Sequence, residues 1–367
     1  MITKLGSVIT EYSVRNKKDE DIPVYSVTNE QGFCTGYFSK DVASKDRTTY
    51  KIVPRGYFAY NPSRINVGSV DWQDCEDRVI VSPLYVVFGV DKKLDQQYLL
   101  HYLKSDITLT YIKALATGSV RDNLKFSVLR EFPINLHPID DQRKIAAVLD
   151  RVDRLIDLRK EELNALDNLV KSRFIELFGD MLLNDMAWQE STLDALADVV
   201  SGITKGRKIR ETELIEVPYM AVSNVKDGYI DWTTVKTIFA TKQEIEQYRL
   251  LPYDVLMTEG GDPDKLGRGA VITEPLKNSI HQNHIFRVRL QTEKILPVFF
   301  SEYLQHQKAK RYFLRSAKQT TGIASINMKQ LRALPVLVPP LELQEQFAAF
   351  VEQTDKSKLC GEMEVAA

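Results

Sequence analysis

The chain repeats part of its own sequence, and this repeat constrains the fold more than any other feature. Residues 129–150 (LREFPINLHPIDDQRKIAAVLD) align without a gap with residues 331–352 (LRALPVLVPPLELQEQFAAFVE), at an offset of 202 positions. Seven of the 22 positions are identical, and seven others exchange one apolar residue for another. Because a sequence repeat marks a repeated structural unit, we expect two related units in this chain.

Further segments of the two halves correspond in the same order. Each begins with an apolar run that ends in a Thr/Ser-Asn pair, which predicts a strand and a turn. A strand, a polar loop and another strand follow, and then an amphipathic helix that ends near Leu103 or Leu304. The matched segments are 22–32 with 217–228, 53–70 with 251–272, and 79–87 with 280–288. The pattern predicts the same mixed α/β unit twice.

A long helix is predicted after the first unit. Pro138 precedes Asp140 and Asp141, either of which could be the N-cap, and Gly179 ends the pattern after Phe178. Apolar residues recur along this segment in alternating steps of four and three, and arginine occupies two further rungs, at positions 159 and 173. The rungs are Ile145, Leu149, Val152, Ile156, Leu163, Leu166, Val170 and Leu177. This spacing is typical of a helix that packs along a second helix.

The repeat supplies a second helix, which begins at Leu341 and carries Leu343, Phe347, Phe350 and Val351 on its apolar face. We expect it to end near Leu359, before CGEMEVAA, and so to be shorter than the first. The predicted fold class is α+β, with two pseudo-repeated units separated by long helices that form an antiparallel coiled-coil spacer. The predicted segments are a first unit at 1–137, the long helix at 138–180, a second unit at 181–339 and the final helix at 340–367.

The common catalytic motifs are missing from the sequence. The glycines at 260–261 and 267–269 lack the Lys and Ser/Thr of a phosphate-binding loop, and no nucleophile motif is present. Residues 61–64 (NPSR) lack the second Pro and the aromatic residue of an amino-methyltransferase motif. His281 and His284 stand three apart on a predicted strand and would face opposite ways, which is a poor zinc geometry. We therefore expect a binding or scaffold protein with no catalytic, cofactor or metal site of its own.

Net charge gives no sign of a nucleic-acid partner, because 49 Lys and Arg residues nearly balance 50 Asp and Glu residues. Local clusters do, since cations neutralise phosphates and Arg, Asn and Gln side chains on loops can contact bases. Single residues of this kind are also ordinary turn formers. The DNA-binding candidates of the first half are Arg15, Asn16, Lys17, Lys18, Asn29, Asn61, Ser63, Arg64, Asn66 and Arg121. Those of the second half are Lys205, Arg207, Lys208, Arg210, Asn224, Lys226, Lys265, Arg268, Gln282, Asn283, His284, Lys308, Arg311 and Arg315.

The sequence predicts a cytoplasmic protein. It shows neither a long uninterrupted apolar stretch nor a basic start followed by an apolar segment, so we expect no membrane span and no signal peptide. Cys34, Cys75 and Cys360 are far apart and odd in number, which argues against a disulfide framework.

The two helix starts resemble those of the specificity subunits of type I restriction-modification systems. The first is carried by Pro138, Gln142, Ile145, Ala146 and Leu149, and the second by Pro340, Leu341, Gln344, Ala348 and Phe350. Residues 350–358 look like the family's second conserved region, and the order of segments over nearly the whole chain is also similar.

This resemblance implies that each unit is a target recognition domain for one half of a bipartite double-stranded DNA site, with the helices as a spacer. It implies a non-catalytic chain that joins two modification methyltransferase subunits and, in the larger complex, restriction translocase subunits. S-adenosylmethionine, ATP and magnesium would then be bound by those partners. The residues implied for the spacer and for subunit packing are the eight apolar rungs of the first helix with Gln142, and Gln344, Phe347, Phe350 and Val351 of the second.

Two points stay open at the level of sequence. Because the second helix is short, part of the first helix would lack a partner helix within the chain. Either a modification subunit covers it, two copies of the chain pair there, or the chain is a truncated or phase-varied allele. The alternative function is a helical scaffold with two repeated protein-binding modules. The clustered cations at 205–210 and 308–318 favour DNA binding over the scaffold.

Overall fold

The computed structural model contains two compact units, Met1–Asp157 and Leu158–Ala367. The residues that the structure describes are 1–36, 47–115, 123–207, 213–261, 266–320 and 323–366. In the described part of the chain, no helix has both the length and the apolar character that a bilayer crossing requires.

Unit 1 follows the predicted order of strands and helices. Its strands are β1 (Ile2–Lys4), β2 (Ile9–Glu11), β3 (Ser26–Thr28), β4 (Gly32–Cys34), β5 (Lys51–Pro54), β6 (Phe58–Tyr60), β7 (Val70–Trp72), β8 (Arg78–Val81), β9 (Val86–Val90) and β10 (Pro133–Asn135). Its helices are α1 (Gln96–Lys104), α2 (Asp106–Leu115), α3 (Phe126–Leu129) and the first part of α4 (Ile139–Phe178). Strands β2-β9-β6-β7 form an antiparallel sheet. Phe58, Phe88 and Phe132 lie in the core beside this sheet.

Unit 2 contains the second part of α4 and repeats this architecture. Its strands are β11 (Gln189–Thr192), β12 (Ala197–Ser201), β13 (Ile215–Met220), β14 (Lys236–Ala240), β15 (Val255–Thr258), β16 (Gly260–Gly261), β17 (Gly269–Val271), β18 (Ile280–His281), β19 (Ile285–Leu290), β20 (Lys318–Thr320), β21 (Ile323–Ser325) and β22 (Pro335–Val338). Its other helices are α5 (Lys242–Tyr248), α6 (Pro297–Gln305), α7 (Gln307–Ser316), α8 (Met328–Arg332) and α9 (Leu341–Ala366). The antiparallel sheet β12-β19-β15-β17 has the same strand order as its counterpart in unit 1.

The first and last strands close each unit in the same way. In unit 1, β1 pairs antiparallel with β10, and in unit 2, β11 pairs antiparallel with β22. A short strand that begins with proline, β10 or β22, therefore precedes each long helix. The predicted amphipathic helices are α1 and α6, which end at Lys104 and Gln305.

Three sequence expectations about helices and strands were wrong. Helix α4 begins at Ile139, so neither Asp140 nor Asp141 is the N-cap; both lie in the first turn, where their charges favour the helix dipole. Helix α9 does not end at Leu359 but continues to Ala366. Residues 280–288 are not one strand, because a turn separates β18 from β19.

Helix α4 ends as the sequence predicts. Gly179 follows its last residue with φ +73°, a left-handed conformation that glycine adopts without steric cost. The Gly179 N–H donates to the carbonyl of Ile175 at 2.8 Å, which satisfies one terminal acceptor.

Within unit 2, α9 packs antiparallel to the second part of α4. Phe347 lies 5.3 Å from Phe174 between ring centroids, whereas the later residue Lys358 contacts the earlier residue Asp167 at 2.7 Å. Phe347, Phe174 and Phe178 are fully buried together with residues of α6. This part of the seam is therefore a helix–helix contact of the predicted kind.

The two arginine rungs of the seam also contact α9. The Arg159 guanidinium donates to the carbonyls of Ser357 and Lys358 at 3.5 and 3.4 Å. The Arg173 guanidinium lies 5.8 Å from the centre of the Phe350 ring, within the range of a cation–π contact. Arginine thus replaces apolar packing at these rungs with polar and cation–π contacts.

The repeated glutamines hold the two long helices to their own units. Gln142 is fully buried; its amide donates to the carbonyls of Lys93 and His137 at 2.8 Å each and accepts from the N–H of Asp95 at 2.9 Å. Gln344 is buried in the same way. Its amide donates to the carbonyls of Lys294 and Pro339 at 3.2 and 2.8 Å and accepts from the Leu296 N–H at 2.8 Å. These two residues therefore do not offer a surface for subunit packing.

Candidate functional site

Each unit gathers polar loops at one edge of its central sheet. The first polar edge consists of residues 26–29, 61–69 and 82–85. The second polar edge consists of residues 221–224, 258–261, 266–268 and 282–284. In both units the central-sheet strands beside these residues, β6 and β9 in unit 1 and β15 and β19 in unit 2, pair in the same order, so this part of the two edges occupies the same place in the fold.

The strand register makes the correspondence specific. The equivalent pairs are Phe58 with Phe88, and Val255 with Val288. Four residues before the second member of each pair lie Leu84 in unit 1 and His284 in unit 2. Both side chains are exposed at the tip of the turn that enters the sheet. The same position therefore carries an apolar side chain in one unit and an imidazole in the other.

The first polar edge encloses a cavity of about 450 Å³. Five predicted DNA-binding residues line it, and the structure thus brings Asn29, Asn61, Ser63, Arg64 and Asn66 together. The other lining residues are Ser26, Val27, Thr28, Val67, Ser69 and Tyr85. No acidic side chain is among these described lining residues, so the Arg64 charge is not neutralised there.

Several side chains of this cavity are free to bind a ligand. Asn61 accepts hydrogen bonds from the N–H and the hydroxyl of Ser63 at 3.1 and 2.9 Å, which leaves its amide nitrogen available. The side chains of Asn29, Arg64 and Asn66 make no hydrogen bond or ion pair with any residue that the structure describes. The cavity can therefore offer amide donors and acceptors and one guanidinium to a polar ligand.

The other predicted residues of unit 1 do not line this cavity. Arg15, Lys17 and Lys18 are exposed and contribute positive charge to the surface. Asn16 was wrongly assigned, because its side chain is buried and both accepts from and donates to the backbone of Glu20. Arg121 lies outside the described residues.

Backbone hydrogen bonds fix the second polar edge. The Gln282 N–H donates to the carbonyl of Met220 at 2.9 Å, and the Glu259 N–H donates to the carbonyl of His284 at 3.0 Å. The Asn283 N–H donates to Ile203 at 3.0 Å. Gln282 and Asn283 are half-buried, and the Gln282 side chain accepts from the Val222 N–H at 3.4 Å. Since the turn is held on several sides, its exposed side chain, His284, projects from a fixed backbone.

Two side chains of the second edge form a close pair. His284 Nδ1 lies 2.5 Å from Glu259 Oε2, and the Asn283 amide nitrogen lies 3.4 Å from His284 Nε2. Arg268 is half-buried, and its Nε is buried without a hydrogen-bond partner among the described residues. The edge therefore combines an oriented imidazole with a guanidinium that has unused hydrogen-bonding capacity.

Three predicted DNA-binding residues of unit 2 have structural roles instead. Asn224 is fully buried, and its amide is satisfied by hydrogen bonds within its own loop. Arg207 forms an ion pair with Glu244 at the start of α5; this hydrogen bond raises the pKa of Arg207 and lowers that of the Glu244 carboxyl. Lys308 is paired with Glu190 at 2.7 Å and is largely buried. None of the three is free to contact a phosphate.

The remaining cations of unit 2 differ in exposure. Lys205, Arg311 and Arg315 are exposed, and no ion pair links them to the described residues. Lys226 is half-buried, with Asp231 at 4.0 Å. The predicted residues Lys208, Arg210 and Lys265 lie outside the described residues.

Part of the predicted seam on α4 is exposed within unit 1. Ile145, Leu149, Val152 and Ile156 have exposed fractions between 36% and 45%, unlike the buried Val170 of unit 2. Leu163, Leu166 and Leu177 are half-buried, as are Phe350 and Val351 of α9. Apolar residues that are exposed on successive turns of one helix form a surface on which a partner helix can pack.

Sequence reasoning missed Glu259 and Leu84. Cations and amides are the side chains typical of DNA contacts, and neither an acidic nor an apolar residue belongs to these types. The available signal was position, because Glu259 stands directly after the strand β15, inside a loop that the repeat had already matched. His281 is buried and His284 is exposed, and no group of three metal-ligating side chains occurs among the residues that the structure describes.

Comparison with known proteins gives a consistent result over nearly the whole chain. The family model described as the type I restriction modification DNA specificity domain matches residues 6–168 and again residues 186–360. The chain is 23% identical over 283 residues to the type I restriction enzyme EcoKI specificity subunit of Escherichia coli strain K12, covering 73% of this chain and 60% of that protein. It is 29% identical over 162 residues to the putative type I restriction enzyme MjaX specificity subunit of Methanocaldococcus jannaschii, covering 44% of this chain and 38% of that protein.

The fold is also similar to a solved structure. The type I restriction-modification S subunit from M. genitalium superposes with a TM-score of 0.56 at 17% identity, covering 100% of this chain and 92% of that one. The chain nevertheless spans only 60% of the length of the Escherichia coli relative.

Proposed function

Because the chain belongs to the type I restriction-modification DNA specificity family, we propose that it reads a bipartite double-stranded DNA target, one half-site through each unit. The observation that carries this proposal is the repeated sheet, whose equivalent edges present different polar side chains. Two units with the same central sheet but different side chains at their polar edges are suited to two half-sites of different sequence.

The two kinds of residue at the surface would divide the work. Exposed cations such as Lys17, Lys18, Lys205, Arg311 and Arg315 would contact phosphates, which supply affinity without sequence preference. The amides and guanidiniums of the two polar edges would contact base edges, which supply specificity.

We propose further that the chain positions other subunits and carries out no chemical step itself. The exposed stripe of Ile145, Leu149, Val152 and Ile156 offers an apolar surface to a helix of a modification methyltransferase subunit. Two such subunits and the restriction translocase subunits would complete the assembly in the cytoplasm. S-adenosylmethionine would be bound by the methyltransferases, and ATP and magnesium by the translocases.

The scaffold alternative is not favoured, since both units match a DNA specificity domain. A protein-binding module would also be expected to present an apolar patch at this edge, whereas the cavity of the first polar edge presents three asparagines and Arg64.

Mapping of methylated bases tests the proposed function. The chain is expressed with a methyltransferase encoded beside it, and the genome is compared with one from cells that lack the chain. We expect a split motif that is methylated only when the chain is present. Equal methylation with and without the chain contradicts the proposal.

A further inference from the structure

The pair His284 and Glu259 is the most specific chemical feature of the second polar edge. The imidazole is 56% exposed, and the carboxylate is 33% exposed beside it. The backbone of the same two residues is joined by the hydrogen bond from the Glu259 N–H to the His284 carbonyl. Side chain and main chain together therefore fix where the imidazole points.

The pair also fixes which ring nitrogen carries the proton. An ionised carboxylate can only accept a hydrogen bond, so Nδ1 must donate to Glu259 Oε2 across the 2.5 Å contact. In the neutral ring Nε2 is then the acceptor. The Asn283 amide nitrogen lies 3.4 Å from Nε2, a long contact that a base amino group would replace at the single Nε2 lone pair.

The equivalent position in unit 1 has no such chemistry. Leu84 occupies the tip of the corresponding turn and is 77% exposed. Because the strand after each turn, β9 or β19, has the same register against β6 or β15, the two side chains would approach a ligand from the same place in their units. Equivalent positions of the two units therefore present different side chains to a ligand, leucine in unit 1 and an oriented imidazole in unit 2.

We propose that His284, positioned by Glu259, is a specificity-determining residue of unit 2 that accepts a hydrogen bond from the exocyclic amino group of a base. In the major groove these groups are N6 of adenine and N4 of cytosine, whereas guanine and thymine present acceptors at the corresponding sites. This inference rests on the proposed function, because it assumes that the second polar edge meets DNA.

Glu259 acts as a positioning residue, and its replacement makes a distinct prediction. The amide of Glu259→Gln can donate to Nδ1, which allows the tautomer with the proton on Nε2. That nitrogen would then donate, and it would favour the acceptors of guanine or thymine. A merely structural role for Glu259 would change stability but not the preferred base.

The test uses the assembled complex of the full chain with its methyltransferase. Once the wild-type motif is known, competition binding measures the relative affinity for duplexes that carry each base pair at each position of both half-sites. For His284→Ala we expect discrimination of about tenfold or more to fall below about twofold at one position of one half-site. For Glu259→Gln we expect that position to lose its preference for adenine or cytosine.

Two controls keep the result specific. Glu216→Gln removes another glutamate charge of unit 2, one that accepts a hydrogen bond from Thr237 at 2.6 Å, and should leave the motif unchanged. Leu84→Ala, at the equivalent position of unit 1, should leave the half-site read by unit 2 unchanged. A His284→Ala complex with wild-type discrimination, or with an equal loss at every position, overturns the inference. Absence of any motif for the wild type would instead contradict the proposed function.

Discussion

Residue by residue, the most instructive positions are the two repeated glutamines. Each is fully buried and makes three hydrogen bonds to backbone groups just before α1 or α6 and just before its own helix. Gln142 and Gln344 are identical in the repeat because the same backbone groups need a partner in both units. A single buried amide thus ties each long helix to its unit.

Replacement of Gln344 with alanine should destabilise unit 2 by about 2 to 4 kcal/mol, because it leaves buried backbone groups unpaired. Urea unfolding would be followed by tryptophan fluorescence in a Trp72→Phe background, where the remaining Trp188 and Trp232 both report on unit 2. Gln353→Ala, exposed on the same helix, is the control and should cost less than about 0.5 kcal/mol. Equal effects of the two substitutions would contradict the role of Gln344.

A second prediction at this scale concerns pH. Burial, aided by the charge of Arg287, lowers the pKa of His281 from 6.5 to about 4. Between these values the unfolded chain binds a proton that the folded chain does not. The free energy of unfolding therefore keeps the full contribution of neutral His281 above about pH 6.5 and loses it as the pH falls toward 4.

Unfolding of the same Trp72→Phe chain at pH 7 and at pH 5 measures this effect. We expect unit 2 to be less stable at pH 5, by roughly 2 kcal/mol from this group. His281→Gln should show a smaller difference between the two pH values. Parallel pH dependence in the two chains would mean that His281 does not titrate as the structure indicates.

The sequence could not show which polar side chains of the site already have hydrogen-bond or ion-pair partners within the chain. It correctly placed Asn61 and Arg64 on a loop after a strand, whereas His284, which it placed on a strand, lies in the turn between β18 and β19. The sequence could not distinguish these residues from Asn224 or Arg207, because the residue type does not show whether a side chain is already hydrogen-bonded within the protein. Whether a polar side chain is free depends on neighbours such as Glu244, which lies far from Arg207 in sequence.

At the level of secondary-structure elements, α4 presents one apolar seam in two environments. In unit 2 it is packed against α9, and in unit 1 its equivalent stretch is exposed. The four-three spacing correctly predicted the part of this seam that packs against α9, since periodicity depends on sequence alone. Which apolar positions of α4 are buried was not predictable, because their burial depends on which other elements pack against the helix.

The repeat offers a matched pair of substitutions for this seam. Phe347 and Ile145 occupy the same repeat position, yet Phe347 is fully buried and Ile145 is 36% exposed. We expect Phe347→Ala to cost about 3 to 5 kcal/mol and Ile145→Ala about 1 kcal/mol or less in the free chain. Hydrogen exchange followed by peptide mass spectrometry reports on each unit separately. Similar losses in both units would show that the exposed stripe is covered in solution.

For the whole molecule, the sequence predicted the organisation better than it predicted the sites. The gap-free repeat at 129–150 and 331–352 indicated two related units, and the structure confirms the same sheet order in both. Repeats are visible in sequence because packing constrains many positions at once. The polar edges are not, because each unit presents different residues there.

The central claim is that each unit reads its own half-site. The most direct test replaces residues 189–339 with residues 2–137, so that unit 1 stands in both places. The exchange follows the paired first and last strands, β1 with β10 and β11 with β22. Methylated bases are then mapped in cells that express this chain with the methyltransferase. The account predicts a motif in which the half-site of unit 1 occurs twice and that of unit 2 is lost; an unchanged motif with two different halves would contradict it.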